Sequence, residues 1–293
     1  MSILAKLGKL FNTALKNWWN RDPFRESSVI AYSAIFSLPG LLVLVISIAG
    51  YFFGEDAVTG RMRNQIAQTL GPESADQLVS IVKMANQSQN SVWGAILGVP
   101  ILIIGAIGVF VQLQHSFNTI WAVNASTSKS GIWLFLKTRI FSFGLIISIA
   151  FLLLISLIVS SLLGSLSSWI LTYWSESLLI IFQIMNIVLS LLTITILFAL
   201  MFKFLPDAII KWRSVWCGAF VTSLLFVIGQ SSLGFYFVKV NPGSGYGPAS
   251  TIILILIWTS YSTMIVFFGA EFTKVLSDEV YGVALSTEIA DKG

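Results

Sequence analysis

Gln183, Asn186, Ser190 and Thr193 interrupt a run of residues that is otherwise apolar. Steps of three, four and three place the four on one face of a helix. Amides and hydroxyls in that pattern can bond to neighbouring helices, or they can line a hydrated path for a polar headgroup. Either way Gln183 and Asn186 need a polar partner or water, because an unpaired amide in hydrocarbon costs roughly 2–7 kcal/mol. Both readings stand at this point.

Covalent and acid–base chemistry have weaker raw material. His115 is the one histidine and Cys217 the one cysteine, and no HExxH pattern is present. The acids near the cytosolic face, the last residues of the tail apart (Asp22, Glu26, Asp207, Glu271, Asp278 and Glu279), are scattered among separate segments rather than set at metal-ligand spacing. RNA cleavage would call for several such groups acting together. The expectation is therefore a protein that is not an enzyme and has no metal or other cofactor. Cys217 sits in an apolar stretch and is expected to be a small buried hydrophobe. The basic residues form no dense patch with interleaved aromatics, so nucleic acid is not an expected partner.

The elements that must carry these residues follow from composition. Of 293 residues, 56% are hydrophobic and 10% charged, and the mean hydropathy is +0.87. Soluble domains carry about 25% charged residues, so the chain is expected to be an all-α integral membrane protein. Six runs reach the length of about 20 residues that a bilayer requires: 29–53, 92–113, 140–163, 178–202, 215–238 and 249–270. They define a membrane domain over 29–272, preceded by a cytosolic segment 1–28 and followed by a cytosolic tail 273–293. No signal peptide is apparent, because Lys6, Lys9 and Lys16 break the first apolar residues.

Six spans put both termini on one side. Thirteen of the seventeen Lys and Arg residues fall on that side, and only Arg61, Arg63, Lys83 and Lys239 fall on the other. The positive-inside bias makes the terminus side, with both termini, cytoplasmic. Membrane lipids are the expected partners, and a homo-oligomer is compatible with the sequence.

Two further helical segments are expected outside the spans. Ile3, Leu4, Leu7, Leu10, Phe11, Ala14, Leu15 and Trp18 make an amphipathic N-terminal helix. It would lie flat on the inner leaflet or, alternatively, pack against the ends of the bundle. In the external loop 54–91, Val58, Met62, Ile66 and Leu70 form one helical stripe and Leu78, Ile81, Val82 and Ala85 a second, with Gly71-Pro72 between them. That predicts a helical hairpin, either capping an opening or simply packed.

No span carries a charged residue at mid-depth, which argues against a proton pump and a voltage sensor. The uncharged polar residues are organised instead. With the quartet, Ser37 in the first span, Gln112 at the end of the second and Thr259 in the sixth are candidates for lining a substrate path. In the third span, Gly144, Ser148, Ser156, Ser160 and Gly164 fall at multiples of four, the spacing of close helix packing.

Four ordered stretches resemble the YihY/BrkB family of bacterial inner-membrane proteins: SVIAYSAIFSLP (28–39), GAIGVFVQLQHSFNTIW (105–121), KFLPDAIIKWRSVWCGA (203–219), and YGPAST (246–251) followed by GAEF (269–272). The resemblance runs from about residue 20 to 280. It implies six spans and a role in moving lipids or other solutes across the inner membrane. The family's former label, ribonuclease BN, finds no support in the residue inventory. Pro39 and Pro248 depart slightly from the family pattern, which puts a kink and the outer entrance in question. The resemblance also singles out Asn118, Pro206, Tyr246, Gly247 and Glu271. Pro206 would stop the fourth helix and Gly247 would allow a tight turn. Asn118 would bond across helix ends. Glu271 would pair with Arg139, Lys203 or Arg213, as an ion pair or as part of a gate.

Overall fold

The computed structural model describes residues 3–88, 108–109, 111–123, 176–240, 242 and 244–281. The described residues are helical nearly throughout. Helix α1 spans Ile3–Asn20, α2 Pro23–Phe53, α3 Glu55–Leu70 and α4 Pro72–Ser88. A helical segment covers 111–120. Then come α5 (Glu176–Phe204), α6 (Trp212–Val240), a 3-10 turn (Ser244–Ala249) and α7 (Ser250–Tyr281). Most of the second span and all of the third, with its small-residue ridge, lie outside the described residues. Three stretches are long and apolar enough to cross a membrane: Ile184–Phe204, Trp212–Phe237 and Ser250–Val280.

The helices begin and end where the backbone chemistry requires. Asp22 links α1 to α2 in the left-handed region (φ 56°, ψ 65°), and Pro23 then starts α2 with its φ already set for a helix. Gly54 (φ 84°) and Gly71 (φ 89°) end α2 and α3 in conformations that a side chain would oppose. Pro72 opens α4 at once. Helix α5 stops at Phe204, two residues before the buried Pro206.

The core lies at the terminus end. Ile30, Phe117, Trp121, Phe198, Phe202, Leu205, Val215, Val266 and Phe267 meet there, bringing together α2, the segment 111–120, α5, α6 and α7. In lipid such contacts hold through close packing more than through release of water. Helices α6 and α7 approach most closely at two reciprocal notches. A Cβ on Gly218 would lie 1.8 Å from Thr273 Oγ1, and one on Gly269 would lie 1.9 Å from Thr222 Oγ1. Each threonine also donates to its opposite glycine's helical counterpart four residues back, Thr222 to Gly218 O and Thr273 to Gly269 O, both at 2.7 Å. The polar groups are thereby satisfied inside the contact.

Leu10 and Ala14 of α1 pack on Phe268 and Phe272 of α7. Trp18 Nε1 donates to Met264 O at 3.0 Å, so the alternative of packing against the bundle describes it. Its opposite side still exposes Phe11, Leu15 and Trp19. Helix α7 continues past 272 to Tyr281, with Thr273 and Ser277 buried. Helices α3 and α4 pack on each other, burying Val58, Ala75 and Leu78. Their charged surface is joined by Arg63 Nε and Nη2, which donate to the two oxygens of Asp76 at 2.5 and 3.1 Å. Thr251 at the start of α7 donates to Gln77 Oε1 at 2.6 Å and so fixes α4 to that end of the bundle.

Candidate functional site

The polar face of α5 is open where the helix leaves the core. Asn186 and Ser190 are exposed, whereas Thr193, half-buried, donates back to Leu189 O at 2.9 Å. The Gln183 and Ser37 side chains lie outside the described residues. One turn further on, Thr195 and Ser223 of α6 share a buried hydrogen bond of 2.8 Å. Continuing that register and the α6–α7 notches along the helices brings Asn186 to about the depth of Ser232 and Thr259. Thr259 is half-buried on α7. Gln112 is half-buried in the segment 111–120, near the terminus end. None of them is among the residues lining the cavity at the terminus end.

A second polar assembly is buried at the terminus end. Glu271 on α7 is 0% exposed and forms an ion pair with Arg21, whose side chain is 32% exposed. Arg21 uses its remaining nitrogens on the end of the segment 111–120, donating to Thr119 O at 3.0 Å and Ile120 O at 3.2 Å. Lys274 adds a bond to Ile120 O at 2.8 Å. Two cations thus satisfy carbonyls that a helix C-terminus leaves without internal partners, where the helix dipole also favours positive charge. Glu271 Oε2 is buried without a hydrogen-bond partner among the described residues.

The expected partners of Glu271 are otherwise placed. Lys203 donates to Ile210 O at 2.6 Å and lies over the Trp212 ring. Arg213 is exposed, and Arg139 lies outside the described residues. Arg21 supplies the charge instead. Sequence spacing holds no trace of this, since the two residues are 250 positions apart and Arg21 reads as an ordinary flanking base.

Asn118 faces the loop between α5 and α6. Its Nδ2 donates to Asp207 Oδ2 and its Oδ1 accepts from the Asp207 backbone N–H, both at 2.8 Å. This two-point bridge ties the loop carrying Pro206 to the end of the segment 111–120. Ser116 donates to Glu26 Oε2 at 3.0 Å, joining the same segment to the first turn of α2. Beside these bonds lies a cavity of about 120 Å³ whose lining includes Trp18, Arg21, Arg25, Glu26, Ser116 and Glu271. At the opposite end, Tyr246 is exposed in the 3-10 turn that also holds Gly247 and leads into α7. Cys217 is exposed on α6, not buried, because its neighbour Gly218 is the residue that meets α7.

A family model described as Virulence factor BrkB matches residues 14–288. A "UPF0761 membrane protein" of Saccharophagus degradans is 24% identical over 94% of this chain and 61% of its own length. A second, from Delftia acidovorans, is 26% identical over 90% of this chain and 62% of its own length. A third, from Haemophilus influenzae, is 24% identical over 90% of this chain and 97% of its own length. The chain thus spans about three-fifths of the length of the first two relatives and nearly all of the third. No solved structure matches.

Proposed function

The chain belongs to the Virulence factor BrkB family, and on that premise we propose that it is a transporter of the bacterial inner membrane. It moves lipid or another amphipathic solute between leaflets along an uncharged polar face, with both termini in the cytoplasm. One observation carries the reading: Asn186 and Ser190 are exposed on a helix of membrane-spanning length. Hydrocarbon against that amide would cost roughly 2–7 kcal/mol. A headgroup or water passing along the face removes the cost, while the acyl chains stay in lipid. Glu271 and Asn118 then belong to the closure of the terminus end, where Arg21 and Asp207 hold them.

The test is reconstitution of the purified protein in liposomes containing labelled phospholipid. Transfer between leaflets faster than in protein-free liposomes is expected. The paired substitution N186L/S190L is expected to slow it by about tenfold or more, the loss of a single polar contact of about 1.4 kcal/mol in a rate-limiting state. No acceleration across neutral and anionic lipids, with and without an ion gradient, would overturn the reading. It would favour a membrane assembly partner whose polar face is covered by another protein.

A further inference from the structure

The cavity at the elbow between α1 and α2 is not accounted for by the bonds around it. Its volume, about 120 Å³, is well above the roughly 10–15 Å³ that a single water requires. That is room for a short polar headgroup. Two guanidinium groups (Arg21 and Arg25) and two carboxylates (Glu26 and Glu271) line it, so its formal charge is balanced.

The four charges are unequally occupied. Arg21 is committed to Glu271 and to the carbonyls of Thr119 and Ile120. Among the described residues, Glu26 Oε2 accepts from Ser116 and its Oε1 meets Arg25 at 3.6 Å. The Arg25 side chain is 72% exposed. Glu271 Oε2 has no hydrogen-bond partner among the described residues. Arg25 and Glu26 Oε1 are thus joined only by a long ion pair, beside a Glu271 oxygen that lacks a donor among the described residues, an arrangement complementary to a phosphate joined closely to an ammonium. Trp18 and Phe267 form apolar parts of the lining. Outside it, Trp19 and Phe24 are exposed with ring centroids 6.1 Å apart, the kind of aromatic surface that sits at a membrane–water boundary.

We propose that this elbow cavity binds the headgroup of a zwitterionic phospholipid that carries a primary ammonium. Arg25 takes the phosphate and Glu26 the ammonium N–H groups. A trimethylammonium headgroup has no N–H to donate and is bulkier; a glycerol headgroup brings no positive charge to the carboxylates. The inference deepens the transport reading above by naming a headgroup class, and it rests on that reading for a membrane rather than a soluble source.

Full-length protein in detergent is titrated with dioctanoyl phosphatidylethanolamine, phosphatidylcholine and phosphatidylglycerol, and with free phosphoethanolamine, and bound species are counted by native mass spectrometry. The ethanolamine lipid is expected to bind about tenfold more tightly than the choline lipid, as one charge-assisted hydrogen bond would give. E26Q keeps an acceptor for Ser116 and is expected to abolish that preference, whereas R25A is expected to weaken all three lipids alike. Equal affinity of the wild-type protein for the ethanolamine and choline lipids overturns the proposal, whether or not a variant folds. An undiminished preference in folded E26Q overturns it as well. Competition by free phosphoethanolamine at the affinity of the lipid supports the same headgroup chemistry and assigns it to a soluble ligand; absence of competition with the preference intact assigns it to lipid. Liposome transfer is measured separately, so loss of transport with headgroup preference retained counts against the α5 path alone.

Discussion

At the scale of single residues, the terminus end depends on a charge that has almost no contact with solvent. Glu271 is 0% exposed, and R21A would leave its carboxylate without its ion-pair partner. Breaking a buried pair from one side costs about 3–5 kcal/mol, and the nearby Lys274 places the expected loss toward the lower figure. E271Q removes the charge itself and leaves Arg21 with solvent and two carbonyls, so a smaller loss of about 1–2 kcal/mol is expected. Thermal unfolding in detergent, followed by tryptophan fluorescence, should rank R21A below E271Q, with R21A/E271Q less destabilised than the two single losses added together. The reverse order would mean that the pair does not hold the end together. The GAEF stretch singles out residue 271 but not its partner. A contact across 250 positions leaves no periodicity to read, and Arg21 shares its segment with several other bases. Cys217 was misplaced for a related reason. A uniformly apolar helix does not declare which side meets its neighbour.

At the scale of elements, helix positions were legible because long apolar runs end at charges, prolines and glycines. The spans expected at 178–202, 215–238 and 249–270 correspond to α5, α6 and α7, the last continuing further. Contacts between them were not legible. The signal exists in retrospect as GAFVT (218–222) and GAEFT (269–273), each a glycine with a threonine four residues on. G218A would drive a methyl group into Thr273, whose branched side chain has little room to retreat. Overpacking of this kind costs about 1–3 kcal/mol. A lowered unfolding midpoint is expected for G218A, with partial recovery in G218A/T273G; recovery that fails would place the damage elsewhere than at this notch. In the α3–α4 pair, the hydrogen bond from Arg63, together with its charge, holds the Asp76 carboxyl below the usual carboxylate range. A folded-state value below the unfolded one adds stability above the ordinary aspartate range. That stability is lost as pH falls through the depressed value. Both groups are exposed, so the effect is small and weakens with salt. Protection of α3 and α4 amides, taken relative to their intrinsic exchange rate at each pH, is expected to fall slightly from about pH 4 downward, with D76N removing that dependence.

At the scale of the whole molecule, charge distribution remains the basis for orientation. With C217S as background, K83C is expected to react with a membrane-impermeant maleimide on intact cells and K16C only after the membrane is opened. Labelling in the opposite sense would invert the protein in the bilayer. The notches between α6 and α7 bear on movement as well as on stability. Two interlocked steps, one helical turn apart, prevent the pair from sliding unless the helices first separate by the depth of a threonine side chain. Among the described residues, helix α5 has no such key. It is held by Phe198, Phe202 and the Thr195–Ser223 bond at the terminus half, while Ile184, Ile187 and Val188 beyond it are exposed. The two joints therefore differ in kind: α6 and α7 are fixed in register by shape, whereas α5 is fixed to α6 by aromatic packing and one shared hydrogen bond.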